Sequence, residues 1–221
     1  ASDAVVLYLH GGGYVIGSPR SHRHLAADIA VAAGARTFTL DYRLAPEHPF
    51  PAALEDAVAA YRWLIESHRT QPSRIVLAGD SAGGGLVLTT LVALRDAGLP
   101  LPAAGVCISP WTDLSCSLPA CDPQRPGHDP LIDHAVLRAM AKAYRGRRSP
   151  RDPRVSPLFA DLRTWLPALV QQVRARQQHD TVIQPVGPFP IECQRQLCLQ
   201  VMKWLGFDFN HGRLDVSTHP F

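Results

Sequence analysis

Two short runs of residues could do chemistry together. In Gly79-Asp80-Ser81-Ala82-Gly83 a serine is flanked at two residues' distance by glycine on each side, directly after an apolar strand-length run and directly before a helical pattern. A sharp turn from strand to helix strains the serine backbone and lifts its hydroxyl above a sheet, with the positive end of the helix beneath it. Taken alone, the pentapeptide fits equally well a glycine-rich helix start with serine as its cap. His10-Gly11-Gly12-Gly13-Tyr14, some 70 residues earlier, follows another apolar run. A glycine run lets main-chain N–H groups turn toward a developing oxyanion with no Cβ in the way, as acyl transfer needs. The two runs together favour acyl-transfer chemistry over a flexible loop and a capped helix.

Strands must hold both runs. Ala4–Leu9, Arg36–Leu40, Arg74–Ala78 and Ala103–Ile108 are short stretches of strand length, mostly apolar, as in a parallel sheet buried on both faces. Helical patterns lie between them: Ser21–Ala33 ending at Gly34, Pro51–Ser67 with Leu54, Ala57, Val58, Tyr61 and Ile65 on one face, and Ala82–Ala97 ending at Gly98. This alternation predicts an α/β sandwich with a central, mostly parallel sheet of about four strands. After residue 109 the alternation stops. Half of the 20 prolines fall between Pro100 and Pro157, which predicts irregular chain around one helix, Asp133–Tyr144. Helices over Arg163–Gln178 and Ile191–Leu205 are expected to form a helical C-terminal tail.

Composition narrows the function classes. The chain has 221 residues, 46% hydrophobic and 19% charged, so it carries enough apolar residues for a core and is not disordered. A net charge of +3 does not call for nucleic acid, and the seven Lys/Arg between Arg138 and Arg154 read as a solvated face. No apolar run reaches the length of a membrane span, and no signal peptide opens the sequence. The five cysteines (107, 116, 121, 193 and 198) form no C-x-x-C pair and read as reduced thiols of a cytoplasmic protein.

The motifs are similar to those of a known family. H-G-G-G-Y-V-I-G-S from His10, D-Y-R-L-A-P-E-H-P-F-P-A-A-L-E-D-A from Asp41, G-D-S-A-G-G from Gly79, S-P-W-T-D-L from Ser109 and S-P-L-F-A-D-L from Ser156 resemble the hormone-sensitive-lipase-like carboxylesterases of the α/β-hydrolase fold, over about residues 5–162. The resemblance implies Ser81 as nucleophile and an oxyanion hole from the N–H groups of Gly12, Gly13 and Ala82, with His10, Gly11, Gly79, Asp80 and Gly83 completing the motifs. It implies a partial α/β-hydrolase fold, a three-layer sandwich with the four strands in spatial order second, first, third, fourth, and hydrolysis of a small-molecule, short-chain carboxylic ester through an acyl-enzyme, without cofactor. Tyr14, Trp111 and Asp113 are expected near the acyl or alcohol pocket.

The chain departs from that family at both ends. It opens at the strand before His10, so the family's cap helices and first two strands are expected to be missing. After Leu162 the family's next strand, its acid-bearing loop and its H-x-F/W histidine do not follow in register. Residues 163–221, with G-P-F-P-I-E-C-Q-R-Q-L-C and L-G-F-D-F-N-H-G-R-L-D-V-S-T-H-P-F, resemble instead an internal piece of the Taq-type zinc carboxypeptidases. That family's H-E-x-x-H is absent, so no metal site is expected. The chain thus reads as chimeric, a truncated hydrolase-type unit at 1–162 joined to a tail at 163–221. No base is assigned to Ser81: His10, His48 and His128 have no such role in the family, and Asp180, His211 and His219 belong to the tail. Asp80 is expected to point away from its neighbour's hydroxyl. Weak ester hydrolysis is the expected outcome; a non-catalytic small-molecule binder and a metallocarboxypeptidase fragment are the alternatives. Loss of flanking strands is expected to expose Arg36–Leu40 and Ala103–Ile108 as sheet edges open to self-association.

Overall fold

The computed structural model describes residues 3–116 and 134–161, together with the strand backbones 168–171, 207–208 and 213–214. β1 (Val5–Leu9), β2 (Arg36–Leu40), β3 (Ile75–Asp80) and β4 (Ala104–Ile108) alternate with α1 (Arg23–Ala33), α2 (Ala52–Glu66) and α3 (Ala82–Asp96). α4 (His134–Arg145) follows. The strands pair in parallel in the order β2-β1-β3-β4, as the family resemblance implies.

The sheet has a fifth strand that the sequence reading missed. β5 (Ala168–Gln171) pairs in parallel with β4, Gly105 opposite Ala168 and Ile108 opposite Gln171. It lies inside the stretch expected to be a helix, Arg163–Gln178. Pro167 explains the error: it offers no N–H to a helix and clashes with the preceding turn, while the apolar residues after it suit a buried strand. Two expectations are corrected together. A strand does follow Leu162, and the Ala103–Ile108 stretch is not an edge. β6 (Phe207–Asp208) and β7 (Arg213–Leu214) form a separate antiparallel pair in the stretch expected to be a helical tail. The helix expected over Ile191–Leu205 lies outside the described residues.

Strand periodicity sorts the core into two layers. Val5, Leu7 and Leu9 of β1 pack with Leu54, Ala57 and Tyr61 of α2 and with Leu86 and Leu91 of α3. Val6 and Tyr8 point the other way, onto Ala26 and Ile29 of α1. α1 ends at Gly34, whose left-handed φ of 58° lets the following Ala35 N–H close back on the Ala30 carbonyl. Among the described residues no helix is long and apolar enough to cross a membrane.

Candidate active site

β1 and β3 are neighbours in register, Leu9 opposite Gly79, so the segments leaving their C-terminal ends start side by side. This brings together the two runs that the sequence keeps 70 residues apart. The strand-to-helix turn is tight enough to require glycine. A Cβ on Gly79 would lie 2.6 Å from both the Leu9 and Gly83 carbonyl oxygens, and one on Gly83 would collide with the Leu9 carbonyl. The first turn of α3 therefore rests directly on the end of β1.

Ser81 sits at the turn with φ 50° and ψ −117°, a left-handed conformation that costs free energy and persists only when its surroundings impose it. Three main-chain hydrogen bonds do so. The Ser81 N–H donates to Ile108 O at 2.9 Å, and its carbonyl accepts from Gly85 N at 3.0 Å and Trp111 N at 2.8 Å. The side chain is exposed, and the hydroxyl has no hydrogen-bond partner among the described residues. No base stands beside it in the described part of the molecule; His128, Asp180, His211 and His219 lie outside the described residues.

In the glycine loop, Gly12 and Gly13 have φ of 122° and 63°. The Gly12 carbonyl accepts from Val15 N at 3.1 Å and Ile16 N at 2.9 Å, while the Gly12 and Gly13 N–H groups donate to no acceptor among the described residues. The Ala82 N–H opens α3 and has no intrahelical acceptor. These three donors lie at adjoining ends of β1 and β3, a layout able to receive a negative oxygen.

His10 is fully buried and stacks on Tyr42, with ring centroids 4.3 Å apart. Its Nδ1–H donates to Gly11 O at 2.8 Å, which leaves Nε2 as an acceptor without a partner among the described residues. Burial is the main reason its imidazole is held below the ordinary histidine range. Asp80 turns away from Ser81, as expected. Its Oδ1 accepts from Tyr8 Oη at 2.6 Å and Gly11 N at 2.9 Å, and its Oδ2 is 3.5 Å from His22 Nε2.

The residues expected near an acyl or alcohol pocket are mostly enclosed. Tyr14 is buried, stacked on Tyr144 of α4 at 3.8 Å, with its hydroxyl unpartnered among the described residues. Trp111 is half-buried and donates through Nε1 to Asp113 O at 3.1 Å. The buried Asp113 carboxylate accepts from the N–H and hydroxyl of Ser115. Among the described residues no three His, Cys, Asp or Glu side chains gather as a metal site requires. The part played by Tyr144 was not foreseen; the apolar face of the α4 pattern was the only available signal.

The chain belongs to the α/β-hydrolase fold family, whose model matches residues 6–179. It is 55% identical over 172 residues to an acetyl-hydrolase of Streptomyces hygroscopicus, covering 78% of this chain and 56% of that one. An ethyl acetate hydrolase of Pseudomonas putida is 38% identical over 187 residues, covering 81% of this chain and 58% of that one. Among solved structures, an esterase from the bacterial hormone-sensitive lipase family superposes with a TM-score of 0.73 at 55% identity, over 77% of this chain and 57% of that one. The chain thus spans little more than half the length of these relatives. A second family model, for the carboxypeptidase Taq (M32) metallopeptidases, matches residues 148–221 and overlaps the first.

Proposed function

We propose that the chain carries the nucleophile and oxyanion half of a serine carboxylesterase acting on short-chain esters. Ser81 Oγ attacks the ester carbonyl carbon as its hydroxyl proton passes to water, and the carbonyl oxygen becomes an oxyanion held by the Gly12, Gly13 and Ala82 N–H groups. Collapse breaks the ester C–O bond, the leaving oxygen taking a proton from water to depart as the alcohol and leave an acyl-serine. Water then releases the acid, with no cofactor. The observation that carries this reading is the left-handed Ser81 turn, its hydroxyl exposed beside unspent glycine N–H groups. The acetyl-hydrolase and ethyl acetate hydrolase similarities support a small acyl group. The free thiol of the buried Cys107 suits a reducing, cytoplasmic setting.

The absence of any base beside Ser81 among the described residues argues for slow turnover. In well-studied serine proteases, loss of the histidine lowers kcat by about 10⁶, while oxyanion hole and binding retain roughly 10³–10⁴ over water. The same observation favours a second reading, a small-molecule binder that has lost catalysis. We further take the chain to be a fusion of a hydrolase-type unit at 1–162 and a tail at 163–221 related to the metallopeptidases, the start of the tail supplying β5 to the sheet, a reading supported by the second family match. Treatment with p-nitrophenyl acetate or a fluorophosphonate probe, followed by intact-mass spectrometry, tests the main reading. One covalent adduct is expected, absent in Ser81→Ala, with steady-state turnover weak or undetectable. No adduct on the unsubstituted chain would leave the binder reading standing; rapid turnover lost in Ser81→Ala would show that the tail supplies a base.

A further inference from the structure

Asp80 makes three contacts that attack by Ser81 does not use. Oδ1 accepts from the Tyr8 hydroxyl on β1 and from the Gly11 N–H, and Oδ2 lies 3.5 Å from His22 Nε2 in the segment that leads into α1. Gly11 is the residue before Gly12. Asp80 is the residue before Ser81. One carboxylate therefore ties the turn that presents the nucleophile to the loop that presents two of the oxyanion donors. The reversal at Ser81 is what sends the Asp80 side chain toward the loop while the serine hydroxyl faces solvent. The fit at Gly11 is close: a Cβ there would collide with Asp80 Oδ2.

We propose that Asp80 is a positioning residue that sets the spacing between Ser81 Oγ and the Gly12 and Gly13 N–H groups. This rests on the ester-hydrolase reading and adds a residue to it. Hydrogen bonds to an ionised carboxylate are about twice as strong as neutral ones, so the contact suits a loop that must hold still during reaction. Displacement of a reacting centre by ~1 Å costs up to about a hundredfold in rate. The Asp80–Gly11 bond is the direct link between the two groups whose separation matters.

The test is the second-order rate of Ser81 acylation in the full-length chain, followed by intact mass. Two substrates are compared: p-nitrophenyl acetate and its thiono analogue, in which sulfur replaces the carbonyl oxygen. Sulfur is a weak hydrogen-bond acceptor, so the thiono substrate draws little from the donors. Asp80→Ala is expected to slow ester acylation by about 30-fold and thiono acylation by no more than about threefold. Asp80→Asn, whose amide oxygen still accepts, should recover part of the ester loss. Gly11 lies outside the left-handed region, so its backbone admits alanine. Gly11→Ala retains the carboxylate but pushes it off the loop, so it is expected to show the same selective ester loss and serves as the second variant should Asp80→Ala not fold.

Equal loss on both substrates, or no loss on either, overturns the positioning role and leaves the hydrolase reading intact. An unsubstituted chain that the ester does not acylate overturns both.

Discussion

β1 and β2 are five-residue strands that share one ladder in register, yet every residue of β1 is buried, while β2 is exposed at Arg36 and only half-buried from Thr37 to Leu40. β1 has a strand on either side and helices on both faces; among the described residues β2 has a strand on one side. The glycine loop leaves the strand that is clamped from every direction. Placement of chemical groups to fractions of an ångström requires a support that cannot shift, and interior strands provide it. β2 contributes burial through Phe38, edge-on to Trp63 at 5.7 Å and to His68 at 5.3 Å, but carries none of the proposed reacting groups.

The contrast breaks most visibly where β1 meets α3. Gly83→Val would drive a side chain into the Leu9 and His10 carbonyls, and is expected to cost about 3 kcal/mol or more, read as a lower urea midpoint. A variant as stable as the parent would show that this junction yields. At β2 the expected effect is on association. Arg36 N–H bonds inward to Ala4 O, so by strand alternation the Thr37 and Thr39 main-chain groups face outward. We propose that this edge mediates self-association. Thr39→Pro removes an outward N–H and should weaken association about tenfold in sedimentation with little loss of stability. A parent chain that stays monomeric at all concentrations and melts cooperatively above about 60 °C would count against an open edge.

The smallest expected effect sharpens the comparison at His10. Burial lowers its folded pKa, so the unfolded chain takes up a proton at higher pH than the folded one. Its contribution to stability is complete above about pH 6.5 and is lost as pH falls through the lowered folded value, at most about tenfold in the folding equilibrium per pH unit. His10→Asn keeps a donor for the Gly11 carbonyl without the titration. Its urea midpoint should fall less between pH 7 and pH 5 than the parent's, and equal falls would place the titrating group elsewhere.

Local signals carried most of the fold. Apolar runs and glycine stops found four strands, and the four helix spans before Arg163 hold to within one or two residues. β5 escaped because four short residues after Pro167 look like part of a longer apolar pattern, and only pairing with Gly105–Ile108 makes them a strand. The site divides in the same way. Glycines that allow close approach are visible as glycines. The partners of Asp80 are not, because Tyr8, Gly11 and His22 reach it only through the register of β1 against β3, some 58 to 72 residues away. The enclosed Tyr14 depends likewise on α4, whose packing no local pattern specifies.

The Ser81 main chain has a further consequence, for exchange with solvent. Its side chain is exposed, but its N–H is held by Ile108 O, at the end of a strand that is distant in sequence. That amide trades its proton for deuterium only when the turn parts from the tip of β4, so its exchange rate reports on the seam between β3 and β4. An exposed serine with a slowly exchanging amide is thus a built-in gauge of whether the site is assembled, readable without any substrate.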